Sequence, residues 1–307
     1  MKINILAAKA TPRAYALLSA TAFFWGCNTI FAKLAVGQVS PMLLVSLRWL
    51  GAVLLLLIFA HKLLVRDWGK LRRNLATLLL MGILGFTAFN ALFYIAAHTT
   101  SGLNMGIIQG AIPVFVLIGA FIIYRTTVSS LQIMGVALTI IGVCLVASAG
   151  NLERLTSLTL NRGDYLMIIA CLLAAGYALA LRRFTSMSPL SVLSVIALSA
   201  FITSLPLSVV ELLLGNLQWP TAKGWIIVAL VTFFPSFLAQ IFFIQGVAAI
   251  GPGRAGIFVN LVPIFASVLA VSILSEPFKA YHGIALALVL GGIWLSEQNN
   301  KGVTGIN

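Results

Sequence analysis

The stretch RAGIFVNLVPIFASVLAV, residues 254–271, is matched about 150 residues earlier by NMGIIQGAIPVFVLIGAF, residues 104–121. Aligned, the two strings share a glycine, a proline and a phenylalanine, at Gly106 and Gly256, Pro113 and Pro263, and Phe115 and Phe265. Both strings lie inside hydrophobic runs. One segment pattern used twice in this way predicts that the chain is built from two related halves.

Composition places most of the chain in lipid. Of its 307 residues, 61% are hydrophobic and only 8% are charged, and the mean hydropathy is +1.09. About a quarter of the residues of a soluble globular domain are charged. Apolar runs of about 18 or more residues, the length of a membrane-spanning helix, recur throughout. They are continuous and do not alternate with polar residues, which excludes an outer-membrane β-barrel.

The apolar runs between polar breaks predict ten transmembrane helices. They lie near residues 13–36, 41–61, 72–97, 101–124, 129–149, 163–183, 189–213, 222–248, 252–274 and 278–296. With the N-terminus inside, 13 of the 19 Lys and Arg residues fall in cytoplasmic segments, five fall outside, and Arg48 lies within the second span. Because basic loops stay in the cytoplasm, we expect both termini there, in a bacterial inner membrane. The basic residues form no aromatic-interleaved patch, so the net charge of +13 does not indicate a nucleic-acid partner.

The repeat extends beyond the two opening strings. At an offset of about 150 residues, further pairs coincide: Gly26 and Gly176, Lys33 and Arg183, Asn90 and Gln240, and, at 148, Ser40-Pro41 and Ser188-Pro189. Five helices in each half is an odd number, so the second half enters the membrane from the opposite side. The predicted fold is therefore an all-α integral membrane protein with two inverted five-helix repeats, residues 1–150 and 151–307. Such repeats are typical of alternating access.

The ordered motifs also resemble a known family. The first half has Trp25-Gly26 followed by Lys33, Ser40-Pro41 followed by Arg48, and small residues before Pro113 and Phe115, and the second half repeats this order at most of these positions. This order resembles the drug/metabolite transporter superfamily, and within it the ten-helix EamA-type exporters. The overall look is most similar to bacterial exporters of amino acids, including aromatic ones, which implies that function here. The chain departs from the family pattern at Tyr124-Arg125, where many relatives carry Gly-Glu, and at Ile196, which takes the place of a second Arg48.

Polar groups within membrane spans are costly and therefore indicate function. Eight residues are predicted to line a substrate cavity: Trp25, Asn28, Asn90, Tyr94, Gln109, Tyr177, Gln240 and Asn260. Amides donate to a carboxylate and accept from an ammonium, which suits a zwitterion, and the aromatic rings would wall an apolar side chain. The alternative is that these amides hold neighbouring helices together.

Two features inside the spans leave a functional and a structural interpretation open. Pro113 and Pro263 each remove a helical hydrogen bond, so they predict either a pair of gating hinges or static kinks. Arg48 either binds a substrate carboxylate or has a structural role at the outer interface or a helix C-terminus, and we favour the structural role. His98 lies at the outer end of the third span and is expected to be interfacial.

The acidic residues define what this chain is not expected to do. All six lie in loops or near span ends: Asp67, Glu153, Asp164, Glu211, Glu276 and Glu297. None has the position of a buried proton-coupling carboxylate, so we expect facilitated transport. There is no phosphate-binding loop, catalytic triad, metal-ligand cluster or cofactor motif, and the three cysteines read as packing residues. We expect a carrier, not an enzyme, acting on a small-molecule solute as a monomer or loose homodimer; the alternatives are a broad drug/metabolite exporter, a channel or a membrane enzyme.

Overall fold

The computed structural model describes residues 2–125, 128–151, 161–184, 187–250 and 258–298, and over these residues the chain is helical without strands. The first half contains α1 Lys2–Ala35, α2 Pro41–Leu71, α3 Leu75–Met81, α4 Phe89–Ala96, α5 Gly102–Gln109, α6 Ile112–Tyr124 and α7 Ser130–Ala147. The second half contains α8 Arg162–Leu181, α9 Pro189–Leu213, α10 Ala222–Val231, α11 Ala239–Ile250, α12 Val262–Leu274 and α13 Ala280–Gln298. Gly256 and the loop residues Glu153, Arg154 and Arg254 lie outside the described residues.

The helices have the length and surface of membrane-spanning segments. Among the described residues, seven stretches are long and apolar enough to cross a bilayer, and two further apolar helices, Val262–Leu274 and Ala280–Leu295, are shorter. One of the seven, Pro41–Ala96, has 56 residues, more than twice the length of about 20 residues that one crossing needs. It turns at the 3₁₀ segment Arg72–Asn74. Large apolar side chains face outward, such as Phe59, which is 66% exposed, as expected of a surface solvated by lipid.

The two halves repeat the same local structure, including its irregularities. A π-helical segment separates α3 from α4 at Gly82–Ala88, and another separates α10 from α11 at Thr232–Leu238, both 150 residues apart. The helices α6 and α12 each end in a left-handed residue, Arg125 with φ 52° and Ser275 with φ 53°. π-Helical segments are rare in proteins and often mark functional sites. The amino-acid pattern did not reveal them.

Equivalent helices of the two halves pack against each other in antiparallel pairs. In the pair α2 and α9, Ser46 near the start of α2 hydrogen-bonds Ser204 and Ser208 near the end of α9, at 2.9 and 2.8 Å. Helix α5, which precedes α6 in the same predicted span, packs against α12, the counterpart of α6: a Cβ added at Gly106 would lie 2.6 Å from Ala266 Cβ. The pair α7 and α13 is packed as closely, with Gly292 against the backbone of α7. Small residues at such crossings let the helices approach closely inside a membrane.

The bundle has two ends, which we name after one residue at each. The Lys33 end comprises residues 33–42, 97–103, 161–164, 211–224 and 274–282, joined by cross-loop hydrogen bonds such as Ser40 N to Gln218 O at 3.1 Å. The Arg73 end comprises the described residues 66–74, 125–129 and 184–191. Helix α2 runs from the Lys33 end to the Arg73 end, and α9 runs back.

Candidate functional site

Arg48 lies within α2 and is buried, with only 5% of its surface exposed. Its Nε donates to Ser236 Oγ at 2.6 Å. Its Nη1 faces three oxygens: Asn28 Oδ1 at 3.2 Å, Asn90 Oδ1 at 2.7 Å and Tyr94 OH at 2.7 Å. We call these five residues the Arg48 cluster. The expectation that Arg48 reaches an interface or a helix terminus is therefore wrong: its side chain is enclosed by helices of both halves.

Asn90 is oriented by the chain that precedes it. Its Nδ2 donates to Phe86 O at 2.7 Å, one helical turn back within the π-helical segment. Because the amide nitrogen is engaged there, the amide oxygen points to Arg48. Tyr94, one further turn along α4, accepts from Arg48 and lies 3.4 Å from Asn28 Oδ1. Asn28 on α1 thus completes a row of neutral oxygens around Nη1.

Ser236 owes its position to the proline before it. Pro235 has no N–H, so it cannot donate to the carbonyl of Val231 four residues earlier, as a regular helix would require. The hydroxyl of Ser236 donates to Val231 O instead, at 2.6 Å. Its oxygen then accepts from Arg48 Nε. The second π-helical segment in this way supplies the one residue of the Arg48 cluster that comes from the second half.

The positive charge of Arg48 has no carboxylate partner among the described residues. Within the described chain, the ion pair formed by Lys or Arg joins Arg66 to Asp67, away from this site. The four hydrogen bonds of Arg48 all go to neutral groups, and Nη2 makes none with a described residue. The enclosed unpaired polar atoms of the described chain belong to other residues, so Nη2 is not sealed from accessible space.

Aromatic rings flank the Arg48 cluster on one side. The guanidinium carbon lies 5.2 Å from the ring centroid of Trp49, within the range of a cation–π contact. Trp49 stacks on Phe86 at 4.4 Å, and Phe86 contacts Tyr177 at 5.1 Å. A continuous row of rings therefore leads from Arg48 to α8 in the second half.

The structure brings together some of the eight predicted site residues and leaves others apart. Asn28, Asn90 and Tyr94 all bind Arg48, and Tyr177 connects to it through Phe86. The other four are not contacts of Arg48: Gln109 donates to Thr29 Oγ1 at 3.0 Å, Trp25 contacts Phe243 at 5.4 Å, and Gln240 and Asn260 are half-buried on α11 and beside α12. Sequence reasoning missed Ser236 and gave Arg48 the wrong surroundings. Pro235-Ser236 inside an apolar run was the available signal.

The two hinge prolines lie just after breaks in their helices. Helix α5 ends at Gln109, and α6 starts at Ile112 with Pro113 in its first turn. Asn260 and Leu261 form the equivalent break, and Pro263 lies in the first turn of α12. A proline in a first turn leaves no helical hydrogen bond unmade. The sequence placed both prolines deep inside continuous helices, whereas the bend is a two-residue interruption that the prolines follow.

Three of the acidic residues cap the N-termini of helices distant in sequence. Glu211 accepts from Met42 N and Leu43 N of α2 at 3.2 and 3.1 Å. Glu276 accepts from Gly102 N and Leu103 N of α5 at 2.7 and 2.8 Å. A carboxylate is favoured there because the first amides of a helix have no helical partner. Glu276 directly precedes α13 in the chain, yet it binds the start of α5.

Asp67 plays the same part at the opposite end of the bundle. Its Oδ2 accepts from Ser188 N at 3.0 Å and from Ser191 Oγ at 2.9 Å, so it caps α9. The helix pair α2 and α9 therefore carries one carboxylate cap at each end, each given by one half to the other.

The remaining charged groups at the Lys33 end lie away from the Arg48 cluster. Lys33 Nζ donates to Ala97 O and Thr100 O at 2.7 and 2.8 Å, and so binds the end of α4. Asp164 is 1% exposed and accepts from Thr100 and Asn104, so a position near a span end did not make this carboxylate accessible. The side chain of His98 is exposed in part. Its pKa is lowered, chiefly by partial burial and then by Lys33, while Glu211 acts in the opposite direction.

Comparison with known proteins identifies a family that this chain matches. The sequence model of the EamA-like transporter family matches twice, at residues 12–148 and 161–297. The uncharacterized transporter YyaM of Bacillus subtilis is 30% identical over 290 residues, covering 91% of this chain and 92% of the relative. The uncharacterized transporter YetK of the same organism is 27% identical, covering 94% and 88%.

A solved structure shares the fold. A protein of known crystal structure, 18% identical, superposes with a TM-score of 0.60 over 94% of this chain and 96% of that one. At this identity the likeness speaks for the fold alone.

Proposed function

Because the chain belongs to the EamA-like transporter family, we propose that it is an inner-membrane carrier that exports small organic metabolites by alternating access. The family and the relatives support a multi-pass membrane transporter of small molecules, and not an enzyme. We infer amino acids as the cargo, with aromatic and other apolar side chains favoured.

The observation that carries the proposal is the Arg48 cluster. A buried guanidinium with neutral partners is expensive inside a membrane protein, and such groups are retained where a solute or ion passes. Here the cluster takes residues from both halves, with Ser236 contributed by the second. The row of Trp49, Phe86 and Tyr177 supplies apolar contact beside it, as a solute with an aromatic or aliphatic side chain requires.

The proposed architecture is ten membrane spans in two inverted five-helix repeats, residues 1–150 and 151–307. Three features support it: the family model matches each half separately, the π-helical segments recur at the same offset, and equivalent helices pack antiparallel. Alternating access would then bend the broken helices before Pro113 and Pro263 in turn, one on each side of the membrane. We infer a monomer or loose homodimer as the working unit.

The charge distribution supports placing the Arg73 end and both termini in the cytoplasm and the Lys33 end outside. Single cysteines replacing Lys70 and Lys223, in a protein whose three native cysteines are alanine, test this orientation. An impermeant thiol reagent added to whole cells should modify position 223 and spare position 70. The opposite labelling pattern would reverse the orientation.

Transport itself is tested with the purified chain in proteoliposomes. Vesicles preloaded with an unlabelled amino acid should take up the same labelled amino acid in a saturable counterflow. Flux that rises linearly with concentration would identify a channel in place of a carrier. A panel including unrelated drugs and metabolites separates an amino-acid carrier from a broad drug/metabolite exporter.

A further inference from the structure

We propose that Arg48 is the docking point for a carboxylate of the transported solute, so that the free carboxylate, and not the ammonium of an amino acid, is the group the carrier requires. This inference rests on the proposed transport function and narrows its substrate class. It assigns a binding role to a residue whose local geometry otherwise leaves a charge without a partner.

Arg48 carries a buried positive charge that no described carboxylate compensates. Arg48 is 5% exposed, and an arginine keeps its charge even when buried. A buried cation is stable only when opposite charge or a full set of hydrogen bonds compensates it. No described carboxylate lies within ion-pair distance of Arg48, since the described Lys and Arg ion pair is Arg66 with Asp67. An anion arriving at this guanidinium would supply the missing charge.

The hydrogen bonds of Arg48 leave one of its nitrogens without a described partner. A guanidinium has five N–H donors. Nε is used by Ser236, and Nη1 is shared among Asn28, Asn90 and Tyr94. Nη2 has no described partner and is not among the enclosed unpaired atoms. Both of its protons are free for a carboxylate oxygen, and such charge-assisted bonds are stronger than neutral ones.

The described residues of the Arg48 cluster include no carboxylate that could bind the ammonium of an amino acid. The oxygens of Asn28, Asn90 and Tyr94 already accept from Nη1, and Nδ2 of Asn90 is engaged with Phe86 O. No described carboxylate accompanies them to receive an ammonium. The charge of the guanidinium repels an ammonium brought beside these oxygens, so the site recognises the acid end of an amino acid and not its amine.

The experiment compares three probes that differ by one group each: L-phenylalanine, 3-phenylpropanoate without the ammonium, and L-phenylalaninamide without the carboxylate. Each competes against counterflow of labelled L-phenylalanine in proteoliposomes, and each is added to the purified chain in a thermal-unfolding measurement. The two carboxylates should compete within a few-fold of each other. The amide should be weaker by about ten-fold or more, the loss of one charge-assisted hydrogen bond.

Two variants of the Arg48 cluster separate substrate binding from structure. Asn90→Asp is nearly isosteric and places a carboxylate oxygen where Oδ1 now lies, 2.7 Å from Nη1. The variant loses the hydrogen bond from Nδ2 to Phe86 O, so its fold is checked by thermal unfolding. The built-in anion should lower affinity for both carboxylate probes by about ten-fold or more. Arg48→Gln should abolish the preference for the carboxylate probes over the amide. Arg73→Gln, at an exposed arginine in the turn after α2, is the matched control and should bind all three probes as the unaltered chain does.

If the amide competes as well as the carboxylates, or Asn90→Asp keeps full affinity, Arg48 has only a structural role and this inference falls while the carrier proposal stands. If Arg48→Gln does not fold, the Asn90→Asp result decides. If neither carboxylate probe is carried or bound by the unaltered chain, the aromatic amino-acid proposal and this inference both fall.

Discussion

The two halves of the chain share a backbone plan and differ in chemistry. The π-helical segments, the left-handed helix ends and the breaks before Pro113 and Pro263 recur at matching positions. Of the first-half polar residues around Arg48, only Asn90 has a polar counterpart in the second half, Gln240. The second half has Ala178, Ile196 and Ile244 where the repeat would place Asn28, Arg48 and Tyr94. The two halves therefore share their backbone irregularities, whereas four of the five residues of the Arg48 cluster come from the first half.

The largest effect is expected when the second half receives the buried arginine that it lacks. Ile196 is 0% exposed and lies in the apolar core. Ile196→Arg should lower the free energy of unfolding by several kcal/mol, because a buried charge without partners is costly. Ile196→Met, which nearly conserves volume, should cost less than about 1.5 kcal/mol.

Thermal unfolding in detergent, together with the monodisperse fraction on size exclusion, measures both Ile196 variants. An arginine variant as stable as the methionine variant would mean that the second half hides a polar pocket equivalent to the Arg48 cluster. The chemical difference between the halves would then be smaller than these contacts indicate.

Two glycines that occupy equivalent positions in the repeat differ in how closely they are packed. A Cβ added at Gly26 would lie 2.9 Å from Phe265 Cβ, whereas one added at Gly176 meets nothing within 4 Å. Gly26→Ala should therefore destabilise the chain by about 1–3 kcal/mol through overpacking. Gly176→Ala should be neutral or stabilise it by up to about 1 kcal/mol, because alanine favours the helix. Equal melting temperatures for the two variants would contradict the close contact at Gly26.

The smallest expected effect compares the caps at the two ends of the bundle. Glu276→Gln weakens the cap on α5 by about 1–2 kcal/mol, since a neutral amide accepts less strongly than a carboxylate. Helix α5 covers Cys171, which is 0% exposed with its Sγ 3.6 Å from Ile108 O. In a chain with Cys27 and Cys144 changed to alanine, maleimide should therefore label Cys171 several-fold faster.

The matched control is Asp67→Asn, which weakens the cap on α9 at the Arg73 end and leaves α5 untouched. Its labelling rate should not rise. An equal rise in both variants would show that the label reports general loosening of the bundle and not release of α5.

The sequence predicted much of this architecture because hydropathy and turn residues are local signals. The helical, membrane-spanning character and the matching of Pro113 with Pro263 could be read directly. Asn28, Asn90 and Tyr94 were singled out as polar groups within spans, and the structure places all three against Arg48; their role in binding a substrate stays a prediction. What could not be read were partnerships across the bundle. Arg48 meets Ser236 over a separation of 188 residues, and Glu276 meets Gly102 over 174. The sequence of an apolar helix does not show which other helix it will pack against.

The exchanged caps on α2 and α9 have a genetic consequence. Asp67 of the first half caps a helix of the second, and Glu211 of the second caps a helix of the first. A gene encoding either half alone would produce a fragment in which the first amides of one helix lack the carboxylate that the other half supplies. Two such genes expressed in one cell would complement each other, each fragment arriving with the residue the other needs. The arrangement resembles a heterodimer whose subunits happen to be joined by a peptide bond.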